Sequence, residues 1–417
     1  MHGPALSVMA WRNLWRNTRR TLLTMCAITF GLMLAVLFTA LQDRSFGDMI
    51  DLAARMASGH VVVQKQDYLD APSLKRTVPE AEDLARSLAR LPGVQRAVPR
   101  VTGSVMLATA GHSYGAYFLA IDPTLEDAST LAFVEALDEG KMLQGSDSKD
   151  IVLGTRLARN LELEPGDKVV YTLMDKNGEI ASGLLRLSGT VRTGADSTDG
   201  AIALMPLGSV RHTLAYDRGE ATQVALFSDD ARRSPQVRDT VAARLGPELR
   251  ASTWDEVNPE LSGFIAMKVG GARFMEAVIL ILVAASIFNT LFVSVLERRR
   301  EFGILMAIGY TPAQVFRLVL WESLWLALVG VTMGCIVTAI PYAWLATHPI
   351  DLTEIYARQG QNLDIAGVGL KPILQIGIFP QNLFFILAGI VAATLLSGLY
   401  PAWKAGRTVP VQTIKLV

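Results

Sequence analysis

Two cysteines in 417 residues, Cys26 and Cys335, both inside long apolar runs, leave no disulfide framework and no thiolate metal cluster to assemble. Histidine is scarce too: His2, His60, His112, His212 and His348 share no ligand spacing, and neither H-E-x-x-H nor C-x-x-C occurs. No metal or cofactor is therefore expected on this chain. A G-x-x-x-x-G-K-[ST] loop is also missing, so nucleotide phosphates cannot be cradled in the P-loop manner; ATP, if it is used, binds another polypeptide. Charged residues make up only 19%, and the formal net charge is zero. With no basic excess, nucleic acid binding has no support.

Apolar sequence, by contrast, is plentiful. A hydrophobic content of 51% and a mean hydropathy of +0.32 over this length exceed what one ordinary soluble domain carries. Four runs are long enough to span a bilayer: Thr21 to Leu41, Ala277 to Leu296, Phe316 to Ile340 and Asn382 to Tyr400. Charge is unevenly divided. Residues 42 to 270 hold 25 Lys/Arg against 32 Asp/Glu, leaving 14 against 7 in the rest. A basic membrane portion with an acidic excursion fits the positive-inside rule, because large domains are translocated regardless of charge.

Arg298, Arg299 and Arg300 come directly after the second run and place the short loop 297–315 on the cytoplasmic side. Glu301 to Tyr310 then reads as an amphipathic helix of one or two turns, with Phe302, Leu305, Met306 and Ile308 apolar and Gly309 closing it. Such a helix is suited to being gripped by a cytoplasmic partner. Residues 1–20, with Arg12, Arg16, Arg19, Arg20, Trp11 and Trp15, suit a cytoplasmic interfacial helix. A cleaved signal peptide is the alternative for this end, but the apolar core is nearly twice the usual length and lacks a small-x-small cleavage site, which favours an uncleaved anchor.

These readings predict four transmembrane helices plus a large extracytoplasmic α+β domain containing a small β module. Residues 21–58 form the first span and a stalk, 59–258 the external domain with a β-rich part at about 150–205, and 259–296 a second stalk and span. Next come the loop 297–315, a third span 316–340, a second external loop 341–380, a fourth span 381–401 and a tail 402–417. Both ends then face the cytoplasm. Within the external domain, His60–Gln64 and Gln95–Val101 read as strands, Pro79–Leu91 as a helix and Gly103–Ile121 as a hairpin. Gly154–Leu161 and Ser234–Leu245 read as helices. Phe46, Met49, Phe264, Met267 and Phe274 fall on stalk faces, where they either pack on one another or line a hydrophobic substrate path.

Three further signals have plain competitors. Gly111-His112-Ser113-Tyr114-Gly115 matches the nucleophile elbow, but Ala116 to Ile121 look like a strand where that motif needs a helix, and a hairpin turn is preferred. Glu276 and Glu322 near the ends of spans are costly enough to suggest a role, although snorkelling to the interface accounts for both. Gly330 and Gly334 form a GxxxG that would let helices approach closely.

From end to end the chain resembles the MacB/FtsX/LolCE-type permeases of ABC transporters, the type VII mechanotransmitting group. The likeness rests on Trp11-Arg12-Asn13-Leu14-Trp15-Arg16-Asn17-Thr18-Arg19-Arg20-Thr21, Ser58-Gly59-His60-Val61, Gly154-Thr155-Arg156-Leu157-Ala158 and Pro165-Gly166-Asp167. The most specific parts are Arg300-Glu301-Phe302-Gly303-Ile304-Leu305, Ala307-Ile308-Gly309 and Tyr400-Pro401-Ala402-Trp403-Lys404-Ala405. The resemblance implies that Glu301, Phe302, Gly303, Leu305 and Gly309 form a coupling helix docked on a separate ABC ATPase, which holds the ATP and Mg. It implies two permease chains, as a homo- or heterodimer, with two ATPases in the inner membrane, and a periplasmic or outer-membrane partner for the head. A non-catalytic subunit handling a lipoprotein, lipid or other hydrophobic substrate is expected; an FtsX-like subunit that activates a cell-wall hydrolase is the alternative.

Overall fold

The structure, a computed structural model, describes residues 3–352, 355, 364, 365, 367–369 and 373–407. The chain divides into two compact units, one of Met1–Ser45, Ala266–Ile350 and Leu374–Val417 and one of Phe46–Ile265 and Asp351–Ile373.

The first unit is helical. Thr18–Ala53, Pro259–Glu297, Pro312–Thr347 and Pro380–Gly406 are the four long helices, each carrying a stretch apolar enough to cross a membrane. Met25, Ile28, Leu32 and Ala35 of the first bury against Val283 and Ile287 of the second, Leu326 of the third and Ile386 and Ile390 of the fourth. A methyl group on Gly330 or Gly334 would run into Ile28 and Leu32, so the GxxxG face brings the third helix against the first within one chain. The third helix starts on a Thr311–Gln314 capping box with Pro312 in its first turn.

Two boundaries differ from expectation. The third helix continues through Pro341 to Thr347, and the fourth through Pro401 to Gly406. In an apolar setting a broken helix would strand several backbone groups, whereas a proline within it forfeits a single hydrogen bond. Residues 353, 354, 356–363, 366 and 370–372 of the external loop expected at 341–380, and residues 408–417 of the tail, lie outside the described residues.

The N-terminal helix, Gly3–Leu14, precedes the first long helix through a 3-10 turn at Trp15–Asn17. Its Leu6 and Ala10 are buried with Leu318 of the third long helix, and Trp11 stacks edge-on against Trp325 at 5.1 Å. One face of this segment is therefore committed to protein.

The second unit is built on one ten-stranded sheet. Its strands are β1 (Val61–Lys65), β2 (Arg96–Ala108), β3 (Ser113–Ile121), β4 (Leu137–Gly140), β5 (Asp150–Gly154), β6 (Lys168–Met174), β7 (Ile180–Val191), β8 (Ile202–Pro206), β9 (Gln223–Phe227) and β10 (Leu249–Thr253). They run in the order β10-β1-β9-β2-β3-β8-β5-β7-β4, with β6 bridging β2 and β7. Alternate residues such as Val61, Val63, Val101, Val105 and Leu107 face a core closed by the helices Ala81–Leu88, Leu207–Thr213 and Ser234–Ala242.

The β-rich part at 150–205 is not set apart: the parallel β3–β8 pairing and the antiparallel β2–β6 pairing join it to the same sheet. Gln95–Val101 and the first arm of the hairpin merge into the single long β2. The helix expected over 79–91 is confined to Ala81–Leu88, because Glu80 adopts a left-handed φ of 47° that a helix cannot include. Ser113 opens β3 directly opposite Ala108, after a turn in which Thr109 N–H donates to His112 O at 2.8 Å. Two antiparallel strands flank it, so the strained strand-to-helix turn that a nucleophile elbow needs is not formed.

Candidate functional site

The loop after the second long helix folds as one compact helix, Arg299–Ala307, ended by Gly309 at φ 104°, a conformation that favours glycine. Its two faces have opposite fates. Phe302 is fully buried with Val295, Val315, Val319, Ala402 and Ala405, and Leu305 packs partly against the same cluster. Gly303 is buried as well. Arg299, Arg300, Ile304, Ala307 and Ile308 point outward, Ile304 at 49% and Ile308 at 70% exposure. Of the residues expected in a coupling helix, Phe302 and Gly303 are buried against their own chain and Leu305 partly so, while the outward ridge is Arg300, Ile304, Ala307 and Ile308. That ridge follows helical spacing as well as the inner face does, and both carry large apolar side chains, so periodicity alone could not rank them.

A network of charges holds this helix from beneath. Arg298, nearly buried, donates from Nη1 to both carboxylate oxygens of Glu322 at 3.0 and 2.9 Å and from Nε to Glu301 at 3.1 Å. Its guanidinium lies 5.2 Å from the centre of the Phe302 ring. Asn13 Nδ2 donates to Glu322 Oε1 at 2.8 Å, Arg16 pairs with Glu301, and Arg20 Nη2 donates to Glu297 at 2.6 Å. Burial raises the Glu301 carboxyl, but the hydrogen bonds from Arg16 and Arg298 outweigh it and hold Glu301 below the usual range. Glu322 thus does not snorkel outward; it is buried because a buried cation meets it. Sequence reasoning missed Asn13, Arg16, Arg20 and Arg298 as partners. The one signal was the cost of Glu322 in an apolar run, which demands a counterion without naming it.

Glu301 therefore joins three elements: the N-terminal segment, the short helix and, through Arg298, the third long helix. Glu276, the other acidic residue in a span, accepts from Thr39 Oγ1 of the first long helix. At the opposite end Asp43 accepts from Phe379 N–H and Asn382 Nδ2 at 3.2 and 2.8 Å, where an anion suits the start of the fourth helix. A shallow cleft beside the network is lined by Asn13, Arg16, Arg20, Thr24, Ser294 and Arg298 among others.

Of the five residues expected along a substrate path, Met49 is buried at 3% exposure and is a packing residue. Phe46 and Phe264 are half-buried in the second unit, whereas Met267 and Phe274 stand open at 65% and 70% on the first unit's part of the second long helix. No group of three or more His, Cys, Asp or Glu able to hold a metal ion occurs among the described residues.

The model of the MacB-like periplasmic core domain matches residues 21–244, and that of the FtsX-like permease C-terminal region matches residues 273–410. The transmembrane protein LolC of the lipoprotein-releasing system of Neisseria meningitidis is 23% identical over 96% of this chain and 95% of its own length. LolE of the same system in Haemophilus influenzae is 22% identical over 93% and 92%. The pyoverdine export ATP-binding/permease protein PvdT of Pseudomonas putida is 25% identical over 97% of this chain and 58% of that longer protein. The chain belongs to the family of ABC transporter permeases that join a MacB-like periplasmic core domain to an FtsX-like permease C-terminal region.

Proposed function

We propose that this permease couples ATP hydrolysis on a separate ATPase to movement of its external domain, so that a lipoprotein, lipid or other hydrophobic substrate is handled at the outer leaflet of the inner membrane. The observation that carries the reading is the Arg300, Ile304, Ala307 and Ile308 ridge, an exposed face on a helix whose other face is locked into the membrane unit. Two isoleucines side by side offer an apolar anchor, and Arg300 beside them a polar rim, the composition that protein docking uses. Because Phe302 and the Arg298 network fix the helix, a push on the ridge is delivered to the third and fourth long helices instead of being absorbed by a loop. Glu301 and Gly309 keep a role here, the first as a tie and the second as the stop.

In this reading ATP and Mg reside on the partner, two ATPases serve two permease chains, and both termini are cytoplasmic. Phe274 and Met267 are the members of the hydrophobic path that remain open to a ligand. The relatives of the lipoprotein-releasing system favour handling of a lipoprotein; regulation of a periplasmic cell-wall hydrolase is the second reading.

Ile304→Asp and Ile308→Asp should each lower co-purification of the ATPase at least tenfold while the permease remains folded in detergent. Phe302→Asp instead should lower the yield of folded permease. Retention of the ATPase by an Ile304→Asp/Ile308→Asp double variant would overturn the docking face.

A further inference from the structure

The helical rise toward the external domain ends in an unusual joint. The first long helix gives way to a π-helical turn at Ala54–Ser58, closed by Gly59 N–H donating to Ala54 O at 2.9 Å. Such turns are rare and concentrate at functional places. Gly59 then turns the chain at φ 75°, and a Cβ there would lie 2.7 Å from Leu226 O. His60 N–H donates to the same carbonyl at 2.8 Å, and β1 begins.

One side chain grips this turn from within the sheet. Arg100 of β2 is fully buried and donates from Nη1 to Ala57 O at 2.7 Å. Its Nε and Nη2 make a two-pronged pair with Glu126 at 2.8 and 2.9 Å, and Nη2 also donates to Thr130 O at 2.8 Å. The Phe227 ring lies under the guanidinium at 5.4 Å. Gln223 Nε2 donates to Ala57 O as well, at 3.1 Å, and is itself held by Gln64. Beside it Arg55, on the turn, pairs with Asp51 at 3.0 Å and donates to Ala128 O at 2.9 Å. Strands β1, β9 and β2 and the loop 122–131 thus converge on the last turn of one helix.

We infer that Arg100 is a positioning residue that makes the end of the first long helix rigid with the sheet, so that tilt of the helix becomes rotation of the whole external domain. Stability alone does not require this arrangement. A buried ion pair contributes little net stability against an apolar replacement, yet here it is spent on one carbonyl at a helix end, where a cation suits the dipole. The planar guanidinium holds a carboxylate and two carbonyls at once in fixed geometry, which a lysine cannot reproduce. The inference rests on the proposed movement of the external domain and names the contact through which it passes.

The test uses the full permease–ATPase complex in nanodiscs, with Cys26 and Cys335 replaced by alanine and spin labels at Arg90→Cys and Thr347→Cys. Distance distributions are compared without nucleotide and with ATP and vanadate. In the otherwise unsubstituted protein a nucleotide-dependent shift is expected. Arg100→Lys should abolish at least half of it while basal ATPase turnover stays within twofold, because the docking helix is untouched. Should Arg100→Lys not accumulate, Gln223→Leu, which removes the second donor to Ala57 O without stranding a charge, should reduce the shift and broaden the distribution. An undiminished shift in either folded variant overturns the role of the joint while leaving the proposed movement intact. No shift in the unsubstituted protein overturns both.

Discussion

At the scale of single residues, the chain places its costliest groups in pairs. Arg298 and Glu322 are each only 8% exposed, and each would be prohibitive alone at that depth. Glu322→Ala should therefore lower stability by about 3–5 kcal/mol, since Arg298 keeps its charge without its main partner. The double variant Arg298→Met/Glu322→Leu should recover most of that loss, because removing both charges also removes the desolvation cost. Thermal unfolding of the purified permease in one detergent checks both; a double variant no better than Glu322→Ala would mean that Arg298 is valued for Glu301 and Phe302 instead. The pairing partner was invisible in the sequence. Glu322 lies 24 positions from Arg298 and 309 from Asn13, and no local pattern connects them.

At the scale of elements, helix approach depends on two missing side chains. Gly330 and Gly334 face Ile28 and Leu32 of the first long helix, both fully buried. Gly334→Leu should therefore push these helices apart and cost about 1–3 kcal/mol, with Gly330→Leu similar. Gly263 and Gly270, with nothing near the position of a Cβ, should tolerate alanine, and the substitution should raise local helix stability slightly. A scan of melting temperatures across the four variants separates contact glycines from free ones. The GxxxG pattern was legible in the sequence, but its partner was not. Small residues permit close approach to any helix, and only the packed bundle selects the first long helix from among the three others.

At the scale of the whole molecule, sidedness follows from charge. On the proposed topology the positive-inside rule puts the loop with Arg298, Arg299 and Arg300 on the cytoplasmic side, and residues 42–270, one span away from it, on the other. Single cysteines at Ile308 and at Arg90 in spheroplasts should therefore react oppositely with a membrane-impermeant maleimide. Arg90→Cys is expected to label in intact spheroplasts, and Ile308→Cys only after lysis. Labelling of Ile308→Cys from outside would invert the topology and with it the docking proposal.

The amino-acid sequence by itself determined the number of spanning helices, the existence of a short helix stopped by Gly309 and the α+β character of the external domain. Each depends on a periodic or compositional property carried within some twenty consecutive residues. Tertiary structure alone decided which face of the short helix is free, since Phe302 and Ile308 are equally apolar and differ only in whether the third and fourth long helices cover them. It also decided that β5–β8 extend the main sheet, that Pro341 and Pro401 lie inside helices, and that Arg100 and Glu322 have partners. Pairings of this kind join residues far apart in the chain, and the energy that selects them comes from burial, which exists only once the helices and strands have packed.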